Sequence, residues 1–225
     1  MRILKLVLKW GATVAVFAGV LFGSAGRLDL PMVWAYLCTF AGLLLVFAIV
    51  TSRRDPDLLR ERRRAGEGAK TWDRVLLAIY GVLFFGTWIV AGLDIGRFHW
   101  SDTVPLGLQI AGLVVCTAAF GLVWWATWVN TFFSRVVRIQ EDRGHRVITT
   151  GPYRYVRHPG YTGNVVAWPC TALALGSWWA MLPAVGVVLI YVLRTALEDR
   201  TLQAELDGYR EYAQQVRYRL LPGVW

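Results

Sequence analysis

Long apolar runs separated by short charged ones set the pattern of this chain. Residues 30–50, 75–93 and 104–129 hold 21, 19 and 26 positions without a charge, and residues 164–193 hold 30. A hydrocarbon core of about 30 Å takes roughly 20 apolar residues per helix, so each run predicts a membrane helix. Residues 10–25 are a shorter candidate, flanked by Lys9, which can snorkel to the headgroups. One straight helix over 164–193 would be about 45 Å long, and a hairpin broken near Gly176 and Ser177 removes that mismatch. The pattern therefore predicts an all-α, polytopic membrane bundle of five to six inserted helices, the last two a tight hairpin.

Composition supports a bilayer as the solvent: 56% of the residues are hydrophobic and 17% charged, too apolar for an ordinary soluble domain. The net charge of +9 raises nucleic acid as a partner, but its distribution argues for a membrane instead. Three basic residues precede the first span, eight lie in 51–74, six in 135–157 and five in 194–219, whereas only Arg27 and Arg97 fall in the two remaining loops. This is the positive-inside asymmetry. It predicts cytoplasmic N- and C-termini in a multi-pass protein of a bacterial-type inner membrane, with membrane lipids as neighbours and no nucleic acid.

The start reads as a retained signal-anchor, basic and then apolar without a small-residue cleavage site. The connector 51–74 reads as an interfacial segment whose arginines meet anionic headgroups. His99, Asp94 and Asp102 share one short loop and read as solvated surface groups. Cys38, Cys116 and Cys170 lie in apolar segments without metal-ligand spacing and read as packing residues. Trp124, Trp125, Trp128, Phe132 and Phe133 close the fourth span either as an interfacial belt or as the wall of a pocket for a lipid tail.

Residues 145–163, HRVITTGPYRYVRHPGYTG, interrupt this apolar background with three arginines, two histidines, three tyrosines and three glycines. Gly151-Pro152 and His158-Pro159-Gly160 are bend signals on either side of a short element. Arg154 and Arg157 suit anionic groups, and the histidines suit proton exchange near neutrality. Beyond the hairpin, Leu197, Leu202, Leu206 and Tyr209 recur at helical spacing with Asp199, Arg200, Glu205 and Arg210 between them, which predicts an amphipathic helix over 194–216.

The run G-P-Y-R-Y-V-R-H-P-x-Y-x-G, preceded by G-H-x-V-I-T-T, resembles the signature of the isoprenylcysteine carboxyl methyltransferase family and its phospholipid methyltransferase relatives. A second block is also similar: Arg194, Glu198-Asp199 where the family tends to have Glu-Glu, then Leu202, Tyr209, Tyr212, Val216 and Pro222. The resemblance covers roughly 130–225 and implies that this part is the catalytic region, with 1–129 supplying helices one to four. It implies an integral membrane enzyme that uses S-adenosyl-L-methionine to methylate a lipophilic acceptor, by O-methyl or carboxyl methyl transfer, at a cytoplasmic cofactor site. It further implies a cofactor pocket lined by His145, Gly151, Tyr153, Arg157, His158, Pro159, Tyr161, Gly163, Glu198 and Asp199. The prenylcysteine enzymes hold the substrate carboxylate with an Arg just before Val-Pro. Here Gln215 stands in that place, before Val216-Arg217, so Arg217 and Arg219, with Glu198, are the catalytic candidates.

Two relatives of the pattern compete. Phospholipid N-methyl transfer would use the same cofactor. The sterol reductases share a similar H-P-x-Y-x-G element and a Y-x-x-Y tail but bind NADPH, and they tend to carry an acidic residue after the glycine, where this chain has Asn164. A non-enzymatic scaffold with lipid-binding basic loops is the third reading.

Overall fold

A computed structural model describes residues 2–61, 68–101 and 103–225; the side chains of residues 2–6 and 59 are not described. The apolar runs fold as helices α1 (Arg2–Ala25), α2 (Pro31–Arg54), α4 (Thr71–Gly92), α5 (Leu106–Val129), α6 (Pro159–Ala174) and α7 (Met181–Glu205), with short α3 (Pro56–Glu61) and α8 (Tyr209–Gln215). No strand occurs among the described residues. Five segments are long and apolar enough to cross a bilayer: Val7–Ala25, Pro31–Arg54, Thr71–Phe98, Leu106–Val129 and Met181–Glu205. The protein is an integral membrane protein. Helix α6 has 16 residues, about 24 Å, and falls short of a full span.

Local chemistry sets the ends of these helices. Proline begins α2, α3 and α6, where its missing N–H costs nothing, and the Asp55 carboxylate caps α3 by accepting the Leu58 N–H at 2.8 Å. Gly176, at φ +79°, ends α6, and the Ser177 N–H closes onto the Ala172 carbonyl at 3.1 Å. The break thus falls at the residues the length argument selected. One helix was expected over 194–216, but Gly208, at φ +78°, separates α7 from α8 and lets the chain turn.

The chain divides into two compact units. The first (Met1–Val50, Gly81–Ala118 and Val166–Val187) is centred on Trp88, fully buried among Phe17, Tyr36, Phe40 and Phe84. Its π-helical turn, Leu93–Phe98, corrects one expectation. Asp94 is not solvated: it is fully buried and accepts hydrogen bonds from the Ser101 and Ser177 hydroxyls, each at 2.5 Å. Those hydroxyls in turn accept the Trp178 and Ala180 N–H groups, so the carboxylate ties the turn after α6 to the end of α4. His99 is exposed as expected, and Asp102 lies outside the described residues. Cys116 is buried, Cys170 half-buried and Cys38 exposed, all as free thiols.

The second unit comprises Thr51–Tyr80, Ala119–Val165 and Val188–Trp225. Within it the 51–74 connector reaches into the interior. Glu61 is buried and pairs with Arg138 at 2.7 Å, and Asp73 is fully buried against Arg194, also at 2.7 Å. The connector's Arg62, Arg63 and Arg64 lie outside the described residues.

Candidate active site

The second unit gathers the 145–163 stretch, the end of α7, and α8. The start of α6 meets the second half of α7: the Tyr161 and Tyr191 rings lie 5.3 Å apart, and the Tyr161 hydroxyl donates to Glu198 at 2.5 Å. The two helices therefore run antiparallel. Gly163 permits α5 to approach, since a Cβ there would stand 2.6 Å from the Ala119 carbonyl oxygen and 2.6 Å from Val123.

Asp199 is the hub of this unit. Its fully buried carboxylate accepts Arg157 through Nε (2.7 Å) and Nη2 (3.0 Å), Arg219 Nε (2.9 Å), the Tyr209 hydroxyl (3.0 Å) and Gln203 Nε2 (2.8 Å), with His158 Nε2 at 3.3 Å. A buried carboxylate is tolerable only when paired and hydrogen-bonded, and here both oxygens are saturated. Arg157 extends the lock. Its Nη1 donates to the carbonyls of Val216 and Arg217, and the backbone N–H groups of Arg157 and His158 donate to Tyr218 and Arg219, each at 2.9 Å. The tail is thereby fastened over the His158-Pro159 bend, and the Thr162 hydroxyl secures Leu220 at 2.7 Å.

Beside this hub lies a cavity with about 780 Å³ of empty space including its open mouth. Phe132, Phe133, Val147, Leu202 and Leu206 supply apolar wall; Asn130, His145, Tyr153, His158, Tyr161, Glu198, Tyr209 and Tyr212 supply polar atoms. His158 stacks on Tyr161 with ring planes 6° apart, and the Arg194 guanidinium sits 5.3 Å from the Tyr161 ring centroid. Arg194 is held by Asp73 and by the Arg135 carbonyl. One oxygen of Glu198 takes the Tyr161 hydroxyl, and the other has no hydrogen-bond partner among the described residues.

His145 Nδ1 accepts the Gln140 N–H at 3.3 Å, which leaves Nε2 as the protonated nitrogen of the neutral ring. Burial, with Arg138 and Arg143 nearby, lowers its pKa to about 4, so the ring is neutral at physiological pH. Burial likewise raises the phenols of Tyr153, Tyr209 and Tyr212, which stay protonated donors. Tyr212 uses its hydroxyl on the Tyr153 carbonyl at 2.7 Å.

The sequence-predicted residues divide into two groups. His145, Tyr153, Arg157, His158, Tyr161 and Glu198 share the cavity. Gly151, Pro159, Gly163, Asp199, Arg217 and Arg219 do not line it. Gly151 turns at φ +59° against Val129 and Trp125, Pro159 opens α6, and Gly163 packs on α5. Asp199 faces the tail, Arg219 points to Asp199 and the Trp225 ring (5.0 Å), and the Arg217 side chain is exposed. The aromatic group at the end of α5 also divides: Phe132 and Phe133 line the cavity, while Trp128 donates to Thr51 and Trp125 is exposed. The pairing of Asp73 with Arg194 was not foreseen, and separation in sequence hid it.

Fold and site together define a polytopic helical membrane protein with a polar cavity built where its last hairpin meets the tail. Residues 108–206 match the family described as "Phospholipid methyltransferase". The fold is similar to that of the eukaryotic intramembrane Ras methyltransferase ICMT (isoprenylcysteine carboxyl methyltransferase), with a TM-score of 0.61 and 18% identity, covering 96% of this chain and 75% of that one. Among curated proteins the chain is 29% identical over 139 residues to the cobalt-zinc-cadmium resistance protein CzcN of Cupriavidus metallidurans, covering 57% of this chain and 56% of that protein. It is 28% identical over 100 residues to the Lamin-B receptor of Drosophila melanogaster, covering 43% of this chain and 14% of that protein. The chain thus spans about half or less of the curated relatives it matches.

Proposed function

We propose that this protein is an S-adenosyl-L-methionine-dependent methyltransferase of the membrane, acting on a lipophilic acceptor by O-methyl or carboxyl methyl transfer, with residues 130–225 as its catalytic region. The observation that carries the reading is the uncommitted oxygen of Glu198. It sits beside Tyr161 and the stacked His158 in a cavity walled by aromatic rings. The donor set fits the cofactor: a carboxylate acceptor for ribose hydroxyls, aromatic faces for adenine, and, in His145, a neutral rather than cationic imidazole near a positively charged ligand. The family match over 108–206 and the methyltransferase named for the similar fold support the same reading.

When bound, the cofactor supplies a methyl group on a positively charged sulfur. The residues present bind and orient. Glu198 and Tyr161 form one hydrogen-bonded pair facing the ligand, and Arg194, anchored by Asp73, holds the Tyr161 ring in place. Asp199 and Arg157 fasten the tail to the His158-Pro159 bend and fix His158 beside the cavity, and placement of reactants in a preorganised site is most of what such a transfer needs. The charge asymmetry supports a site on the cytoplasmic face of a bacterial-type inner membrane, with both termini cytoplasmic and the acceptor arriving from the bilayer.

Calorimetry on the purified protein with S-adenosylhomocysteine and, separately, NADPH tests this. Saturable binding of S-adenosylhomocysteine that is lost in Glu198→Gln at unchanged folding is expected. Binding of NADPH alone would overturn the reading.

A further inference from the structure

The partners of Asp199 reach two concavities. On one side its partners Arg157, His158 and Tyr209 line the cavity described above. A second, shallower cleft is lined by Ala196, Asp199, Arg200, Gln203, Arg210 and Arg219. Asp199 is the only carboxylate in that lining, and Arg157 and Arg219 already neutralise it. Arg200 and Arg210 are exposed and form no ion pair among the described residues. Arg210 is aimed by a 2.7 Å hydrogen bond from its Nε to the Gln203 carbonyl. Two uncompensated guanidiniums therefore converge on a cleft whose floor is electrically satisfied, an arrangement suited to a phosphate.

The surroundings indicate which phosphate. The tail that carries Arg219 folds back so that the Arg219, Leu220 and Leu221 N–H groups all point to the Trp225 carbonyl. This leaves Tyr218, Leu221 and Val224 exposed, Val224 by 77%. An apolar fringe beside a basic cleft matches a molecule with an anionic head and an acyl body. The cleft also lies on the stretch of α7 where the uncharged run ends at Leu193 and the charged residues begin, as expected at headgroup depth. Free phosphate would have no use for that fringe.

We infer that the cleft of Arg200, Arg210 and Arg219 binds the phosphate of an anionic membrane phospholipid. Binding there engages the guanidinium that also holds Asp199, so the lipid and the tail closure share one residue. The inference concerns a separate surface and stands whether or not the cavity binds a methyl donor.

The test uses the full chain in nanodiscs and in detergent. Native mass spectrometry with phosphatidylglycerol is expected to retain bound lipid, and phosphatidylcholine at equal concentration to be retained far less. The double variant Arg200→Gln/Arg210→Gln is expected to weaken phosphatidylglycerol binding roughly tenfold to thirtyfold, from two surface charges removed, at an unchanged unfolding temperature. Equal retention of phosphatidylglycerol by the double variant overturns the inference. Equal retention of phosphatidylcholine overturns it as well. Displacement of the lipid by equimolar inorganic phosphate or glycerol phosphate overturns the lipid assignment and identifies a soluble phosphate instead.

Discussion

Replacing Asp199 by Asn keeps the shape of the side chain and removes its charge, and the surroundings determine the cost. The carboxylate has no exposed surface, and Arg157, its bidentate partner, is 7% exposed. Asn offers one acceptor oxygen where two are used and turns an amide donor toward other donors, leaving Arg157 buried without a counter-charge. Breaking a buried pair from one side costs about 3–5 kcal/mol, while the half-exposed Arg219 contact adds less than about 1 kcal/mol. For a chain of this length that corresponds to a fall of roughly 6–20 °C in unfolding temperature. Glu198→Gln, which disturbs one hydrogen bond in a partly solvated wall, is expected to cost no more than about 1.5 kcal/mol. Thermal unfolding of both variants in the same detergent gives the comparison. Limited trypsin digestion gives a second readout, because loss of the Arg157 lock exposes the chain around Arg217 and Arg219 to faster cleavage. If Asp199→Asn unfolded within about 2 °C of the parent, or if Glu198→Gln were equally destabilised, the division between a structural and a ligand-facing carboxylate would be refuted.

Gly163→Ala is expected to destabilise by about 1–3 kcal/mol through overpacking against Ala119 and Val123, while ligand affinity stays within about twofold. Loss of affinity at unchanged unfolding temperature would instead make Gly163 part of the pocket. The half-buried His145 is neutral down to about pH 4 in the folded protein, whereas an unfolded histidine protonates near 6.5. The unfolded state thus binds more protons between these values, so this residue's contribution to stability is intact above about pH 6.5 and falls as pH drops toward 4. A denaturation series over pH 4–7 with His145→Gln as reference checks this, and a variant with the same acid slope as the parent would contradict it.

The membrane helices were legible because an uncharged run of about 20 residues has few other uses, and the α6–α7 break was legible because length and Gly176 agreed. The clustering of His145, Tyr153, Arg157, His158, Tyr161 and Glu198 around one cavity follows the quoted motifs. Which carboxylate faces which way was not legible: Glu198 and Asp199 differ by one position, and only the packing of α8 and the tail tells them apart. Asp94 was misjudged for a related reason. A carboxylate near a loop reads as solvated unless its partners are visible, and Ser177 lies 83 positions away. Arg219 reads from the motif as a catalytic candidate, and the structure turns it away from the cavity, because its direction is set by Asp199.

The adjacency of Glu198 and Asp199 limits how this protein can vary. Consecutive positions on a helix point about 100° apart, so one residue reads the cavity while the next holds the tail. Inserting or deleting a single residue in α7 before this pair would rotate both duties onto the wrong neighbours at once. Changes in ligand preference are therefore accessible through side chains of the cavity wall, and changes in the length of α7 are not.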